Sequence, residues 1–297
     1  MTFSLGLDVG ATKIAVTLLD TDGTVLRAES VSTEAAGGDA VVAQIGAIVA
    51  AQAAESVLAG VGLAVHGDVD PASGMIALAP NIGWAGVDIA ARIAPHLPKR
   101  TRLRVENDAN AAAWAEYRFG GHPRADSFAM ITVGTGIGGG FVLNGRLLSG
   151  AAGAGEIGHL QLKPAGEGCP CGSRGCWERY ASESALQRAA VAMGWGGPEA
   201  SRALLAATAT DPAARAVVEV TAAHLVRGIS LVVDALNPAT VLLGGGLGTD
   251  PRFLAIAQGA FEAIEFTPPR FRPTLRAALL GPLAASIGVA DLAQSPA

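Results

Sequence analysis

The chain has 297 residues, 50% of them apolar and only 16% charged, and 21 Lys and Arg against 26 Asp and Glu leave a net charge of −5. That composition excludes a disordered chain and leaves ample apolar material for a core, in one large domain or two modest ones. Weak acidity without a basic block makes a poor nucleic-acid binder by electrostatics, although backbone amides can still hold small anions. Residues 1–8 carry no basic segment and reach an acid at Asp8, unlike a secretory leader. The longest uncharged run, residues 127–145, holds six glycines from Gly134 onward and does not read as a membrane helix. All three cysteines fall between Cys169 and Cys176, which is no disulfide framework. A soluble, reduced, cytoplasmic protein with neither a nucleic-acid nor a membrane partner is expected.

In chain order, β-rich runs at 3–8 and 14–20, then an Asp22-Gly23 turn before 25–30, predict a β-meander. A helix over 40–58 and a strand over 60–65 follow, the strand ending in a loop at His66-Gly67-Asp68. Residues 80–84 read as a turn and 87–94 as a helix. A strand over 103–106 runs into Asn107-Asp108, a helix N-cap signal ahead of 109–119. A strand over 127–133 is closed by a glycine cluster, with 141–143 as its hairpin partner, and 150–168 is glycine-rich and irregular. Helical patterns fill 181–236, a buried strand spans 240–243 before Gly244-Gly245-Gly246, and a last helix covers 283–292. Each half opens on a hairpin built around a Gly/Thr loop, 8–13 and then 134–140. Two related α/β lobes are expected, hinged near 107–125.

Asp8-Val9-Gly10-Ala11-Thr12-Lys13 brings backbone N–H groups, a hydroxyl and an ammonium to one point. That suits a phosphate, with Asp8 holding Mg²⁺ through water; an ordinary hairpin with a surface lysine is the equal alternative. Residues 134–139 match G-x-G-x-x-G, but a strand follows where a dinucleotide fold opens a helix, so Gly134, Thr135 and Gly136 read as a second phosphate loop. Gly244, Gly245 and Gly246 admit a flat adenine ring close to the backbone, or simply turn the chain. Asn107-Asp108 is either a plain helix cap or a cap that carries a general base for phosphoryl transfer. Glu156 and Glu178 flank the cysteines, and a carboxylate accepts two in-plane hydrogen bonds from vicinal sugar hydroxyls. His159, Cys169, Cys171 and Cys176, spaced H-x9-C-x-C-x4-C, fill a tetrahedral Zn²⁺ sphere and leave no open position. Such a zinc is structural; three buried free thiols are the alternative. His159 can serve twice, one ring nitrogen on the metal and the other on a ligand oxygen.

These residues resemble the ROK sugar kinases, within the actin-like (ribonuclease H-like) ATPases, over almost the whole chain. Asp8, Gly10, Thr12 and Lys13 resemble the family's first phosphate motif, and Val105-Glu106-Asn107-Asp108-Ala109-Asn110 its catalytic-base motif. Residues 131–139 resemble the second phosphate motif. Glu156-Ile157-Gly158-His159 and the segment 169–178 resemble the sugar- and zinc-binding signature. The resemblance implies a two-lobed α/β fold with a ligand cleft between the lobes. Residues 1–115 would form a small lobe onto which a helix near 283–297 packs back, and 116–282 a large lobe carrying the zinc segment 159–176. It implies Asp108 as base, and Asn107, Glu156, His159 and Glu178, with Gly67 and Asn81, around a hexose. Asp8, Gly10, Thr12, Lys13, Gly134, Thr135 and Gly136 would hold Mg²⁺ and phosphates, and Gly244, Gly245 and Gly246 the adenosine. The implied activity is ATP-dependent phosphorylation of glucose to glucose 6-phosphate in a homodimer or homotetramer. Another hexose (fructose, N-acetylmannosamine or N-acetylglucosamine), polyphosphate as donor, or a sugar-sensing regulator are the alternatives. Regulators of the family carry an N-terminal DNA-binding extension, for which a first strand starting at Phe3 leaves no room. Two positions depart from the family pattern. Ala11 stands for a usual Gly, which strains the loop if φ must be positive, and His66 stands for a usual Pro.

Overall fold

The computed structural model describes residues 2–122, 127–150, 153–266 and 272–294. The first half contains β1 (Phe3–Val9), β2 (Lys13–Leu19), β3 (Val25–Ser32), α1 (Gly38–Glu55), β4 (Leu58–Val65), β5 (Asp68–Asp70), β6 (Met75–Ala79), β7 (Trp84–Asp88), α2 (Ile89–Ile93), β8 (Arg102–Asn107) and α3 (Asp108–Phe119). The second contains β9 (Ser127–Val133), β10 (Ile137–Leu143), β11 (Arg146–Leu147), α4 (Glu178–Ala181), α5 (Glu183–Ala192), α6 (Ala200–Ala207), α7 (Pro212–Leu236), β12 (Thr240–Gly244), α8 (Gly245–Gly248), α9 (Pro251–Glu262), β13 (Thr274–Ala277) and α10 (Ala284–Gln294).

Two five-stranded sheets repeat one order, β3-β2-β1-β4-β8 and β11-β10-β9-β12-β13. In each, an antiparallel meander is extended by two parallel strands. Each sheet has its own aliphatic core. A third cluster lies between them, built from Ala111, Ala112, Ala113 and Ala115 of α3 and Ala284, Ala285, Ile287, Val289 and Ala290 of α10, packed on Phe128, Met130 and Val142. The alanines make this layer thin. Glycines let it close further: side chains at Gly6, Gly60 and Gly62 would run into the backbone of α10 at Ser286, Ala293 and Val289. Ser286 answers with a hydroxyl hydrogen bond to Thr17, 2.7 Å long and buried. α7 is the one helix among the described residues long and apolar enough to cross a bilayer, and it packs against α4, α5, α6 and α9 as a core helix.

Several expectations need correction. The helix expected over 40–58 stops at Glu55, because Leu58 already pairs with Phe3. The helix expected over 87–94 begins as a strand. Residues 84–88 pair with β6, Trp84 is buried with its indole N–H on the Gly38 carbonyl (3.1 Å), and Asp88 then caps the short α2. The hairpin partner of β9 starts at Ile137, so Gly138, Gly139 and Gly140 are strand residues and not loop. A side chain at Gly140 would meet Ala113 and the Ala109 carbonyl and one at Gly138 would meet Ala109, so these two glycines seat β10 against α3, while Gly139 faces Ile157. The expected final helix runs over Ala284–Gln294. Residues 123–125 of the expected hinge, 151–152 of the irregular segment and 295–297 of the C-terminal helix lie outside the described residues.

Candidate active site

The parallel register of β1, β4 and β8 aligns Asp8 with Ala64 and Glu106, and Val9 with Val65 and Asn107. Three chain segments therefore leave the sheet together, with Asp8 on the first, His66 on the second and Asp108 on the third. The carboxyl ends of parallel strands are where open α/β sheets place ligands. The second sheet contributes the β9–β10 turn, closed by a hydrogen bond from the Gly134 N–H to the Gly136 carbonyl (3.0 Å). Between the sheets lies a cavity of about 680 Å³. Asn81, Asn107, Asp108, Glu156, His159 and Glu178 line it, together with Gly134, Thr135, Gly136 and Gly245, and so does His66. Gly67 sits behind Asn107, whose amide donates to its carbonyl (3.1 Å). Gly67 has φ +143°, and a side chain there would strike the Leu78 carbonyl. Gly244 is the buried end of β12, and Gly246 borders an adjoining cavity of about 270 Å³ with Glu183, Arg202 and Arg252. Gly10, Thr12 and Lys13 form the first turn, braced by Thr33, whose hydroxyl donates to the Gly10 carbonyl (2.7 Å) and whose N–H donates to that of Thr12 (3.1 Å). Ala11 is absent from the positive-φ residues, so the strain considered for it does not arise.

Asp108 is the first residue of α3. Its Oδ1 accepts from the Ala109 N–H (2.8 Å) and its Oδ2 from His66 Nδ1 (3.2 Å). Asn107 is the cap of that helix, its Oδ1 accepting from the N–H groups of Ala109 (2.9 Å) and Asn110 (3.1 Å). Capping and cavity lining thus fall on one residue. Asp8 is pushed up to about 7, by burial first and by the Asp108 carboxylate second, with Lys13 and His66 pulling the other way. A largely buried acid facing a second acid is a place for a divalent cation, which favours oxygen ligands. Burial, then Asp68, raises Glu156, while His159 opposes with its Nε2 3.9 Å away.

The donor atoms of His159, Cys169, Cys171 and Cys176 all lie within 4.8 Å of one another. Cys171 and Cys176 sulfurs are 3.7 Å apart, and Cys169 sulfur is 3.8 Å from His159 Nδ1. Zinc with arms of about 2.3 Å has tetrahedral edges of about 3.8 Å, so the set fits that ion. The cysteines are free, and burial pushes the Cys169 thiol up to about 12. Backbone bonds from the Cys169 N–H to the Ser173 carbonyl (2.9 Å) and from the Leu162 N–H to that of Gly175 (2.8 Å) shape the segment. Trp177, fully buried against Gly228, ties it to α7 through an indole N–H on the His224 carbonyl (3.0 Å). Glu178 follows at once, one oxygen 3.4 Å from Cys169 sulfur and the other facing Gly136.

Three residues of the site carry no role in the sequence reading. Glu106 is buried at the end of β8 and accepts from Arg104 (2.7 Å), Ser149 (3.1 Å) and Asn110 (3.1 Å). It supports the turn under Asp108, and a buried acid beside the motif's Asn-Asp is a usable signal. Asn110 Oδ1 is buried without a protein partner. His66 differs from the family pattern but has no sequence neighbour that announces a partner 42 residues away.

The sequence profile of the ROK family matches residues 4–295. The chain belongs to the ROK family. A glucokinase of Streptomyces coelicolor is 34% identical over 318 aligned residues, taking in 100% of this chain and 99% of that one. A ROK family glucokinase from Streptomyces griseus, solved with glucose and AMPPNP, superposes with a TM-score of 0.79 at 33% identity and covers 98% of each chain. A ROK hexokinase from Thermus thermophilus superposes with a TM-score of 0.84 at 34% identity, over 98% of this chain and 97% of that one. The repeated sheets of this ROK protein are the two halves of the actin-like (ribonuclease H-like) fold.

Proposed function

We propose that this ROK family protein is an ATP-dependent sugar kinase whose acceptor is a hexose, glucose first, and whose general base is Asp108. The observation that carries this reading is the placement of Asp108 in the cavity. It sits at a helix start in the cavity that the sugar-type acceptors Glu156 and Glu178 and the uncharged turn 134–136 also line. Similarity to glucokinases over the full chain supports the choice of glucose.

In the proposed reaction a sugar hydroxyl oxygen, that of C6, bonds to the γ-phosphorus of ATP. The bond from that phosphorus to the β-bridging oxygen breaks, ADP leaves with the electron pair, and the hydroxyl proton passes to Asp108. Asn107, Glu156, His159 and Glu178, with Asn81 and Gly67 at the edge, orient the hexose. The turns at Gly134, Thr135 and Gly136 and at Gly10 and Thr12 bind the phosphates through the N–H groups of Thr135, Gly136 and Thr12 and the Lys13 ammonium, while the Gly134 and Gly10 N–H groups close the turns on the Gly136 and Lys13 carbonyls. Gly244, Gly245 and Gly246 border the adenosine. Magnesium arriving with the nucleotide would be held through water by Asp8, and it supplies charge neutralisation when bound. His159, Cys169, Cys171 and Cys176 would hold a structural zinc that fixes the sugar-binding segment.

We take residues 1–115, with the C-terminal helix laid on them, and residues 116–282 as lobes that close over the substrates. Closure excludes water, a competing nucleophile. A cytoplasmic homodimer or homotetramer completes the proposal. The test is a coupled phosphorylation assay over glucose, fructose, N-acetylmannosamine and N-acetylglucosamine, with ATP and polyphosphate as donors. Turnover with ATP and highest kcat/KM for glucose is expected; no turnover of any hexose would overturn the kinase reading, and a different best hexose would replace glucose.

A further inference from the structure

We propose that His66 is a positioning residue for Asp108, its imidazole holding the carboxylate in the orientation that meets the acceptor hydroxyl. This rests on the reading of Asp108 as the base. The contact is a product of sheet register, because Val65 pairs with Asn107 and the next residue of each strand leaves the sheet beside its neighbour. Both exits are clamped. Gly67 turns the chain directly after His66 in a conformation only glycine takes without strain, and its carbonyl receives the Asn107 amide. The imidazole is thereby held against Asp108 Oδ2, while the Ala109 N–H holds Oδ1. An ionised carboxylate offers about four lone-pair sites. Two are filled by the protein, which fixes the rotation of the group, and the others remain for a hydroxyl.

The groups facing His66 are Asp108 at the start of α3, Glu156 from the segment after β11 and Asp8 from β1. Lys13 of β2 faces Asp8, and Asp68 of β5 faces Glu156. The hydrogen bond to Asp108, then its charge, raises His66 to about 9, so Nδ1 carries a proton at neutral pH and donates. A neighbouring cation lowers the basicity of Asp108, but phosphoryl transfer passes through a loose transition state with little demand on base strength. Direction matters more, and an error of about 1 Å in a reacting group can cost 10²-fold. The His66 side chain is 63% exposed, so the pair does little for overall stability. That separates positioning from a structural role.

The experiment measures kcat and sugar KM for His66→Ala, His66→Asn and Asp108→Asn. Asparagine places an N–H the same number of bonds from Cβ as Nδ1. His66→Ala is expected to lower kcat about tenfold with sugar KM within about twofold, and His66→Asn to recover most of the loss. Wild-type kcat in His66→Ala, a change confined to KM, or a His66→Asn variant as slow as the alanine one overturns the proposal. If His66→Ala melts well below wild type, His66→Leu, of similar size and without a donor, takes its place under the same criteria. Near wild-type turnover in Asp108→Asn would instead overturn the base assignment, whatever His66 does.

Discussion

The two sheets share a strand order, but their first hairpins are dressed differently. The turn between β1 and β2 is flanked by Asp8 and Lys13, and the strands beside it deliver His66 and Asp108. The turn between β9 and β10 carries no charge at all, and its neighbours are Glu178 and the cysteine segment. A duplicated scaffold thus gives two turns at the carboxyl ends of parallel strands, and a few side chains divide the work. The first half gathers the titrating groups. The second presents backbone donors and relies on a clamped loop to place its carboxylates.

That division can be broken from either side. The largest effect is expected for Asp108→Asn, which should cost at least about 10³-fold in kcat while glucose still binds, since an amide cannot take the proton. Cys176→Ser, or prolonged chelation, attacks the other half. Zinc content should fall to zero and glucose KM rise. The melting temperature should drop by several degrees, at about 2–4 °C per kcal/mol for a domain of this size; metal analysis and a melting curve check this. Lys13→Met should lower kcat/KM for ATP by about 10–100-fold and leave sugar binding unchanged, as steady-state kinetics with each substrate varied would show. The smallest effect is in pH. His66 is raised to about 9, so its protonated form is present at neutral pH and is lost as pH rises through about 9. The kcat profile of the wild type should fall over that alkaline range, and that of His66→Asn should not.

What was legible in the sequence was local. Asn107-Asp108 announces a capped helix start, and the cap is there in both hydrogen bonds. The spacing of His159 and the three cysteines announces their convergence. The meander of the first sheet follows from its β-rich runs and the Asp22-Gly23 turn. Long-range register is what the chain does not announce. His66 meets Asp108 only because β4 pairs with β8, and Gly138 and Gly140 of β10 look like loop residues until the alanine face of α3 lies against them. The small β5–β6–β7 sheet has strands of three to five residues, with Gly83 just before β7 and Gly86 inside it, too short for periodicity to register. α9 and β13 go unread in the sequence, although an Asp cap at Asp250 and a proline at the first helical position mark the start of α9.

In the proposed reaction Asp108 removes the acceptor proton while the two turns hold the triphosphate. A crystal structure with glucose and a non-hydrolysable ATP analogue tests it most directly. One Asp108 oxygen is expected about 2.6–3.2 Å from a sugar hydroxyl that points at the γ-phosphate. An Asp108 carboxylate turned away from the bound sugar, with another group on that hydroxyl, would contradict it.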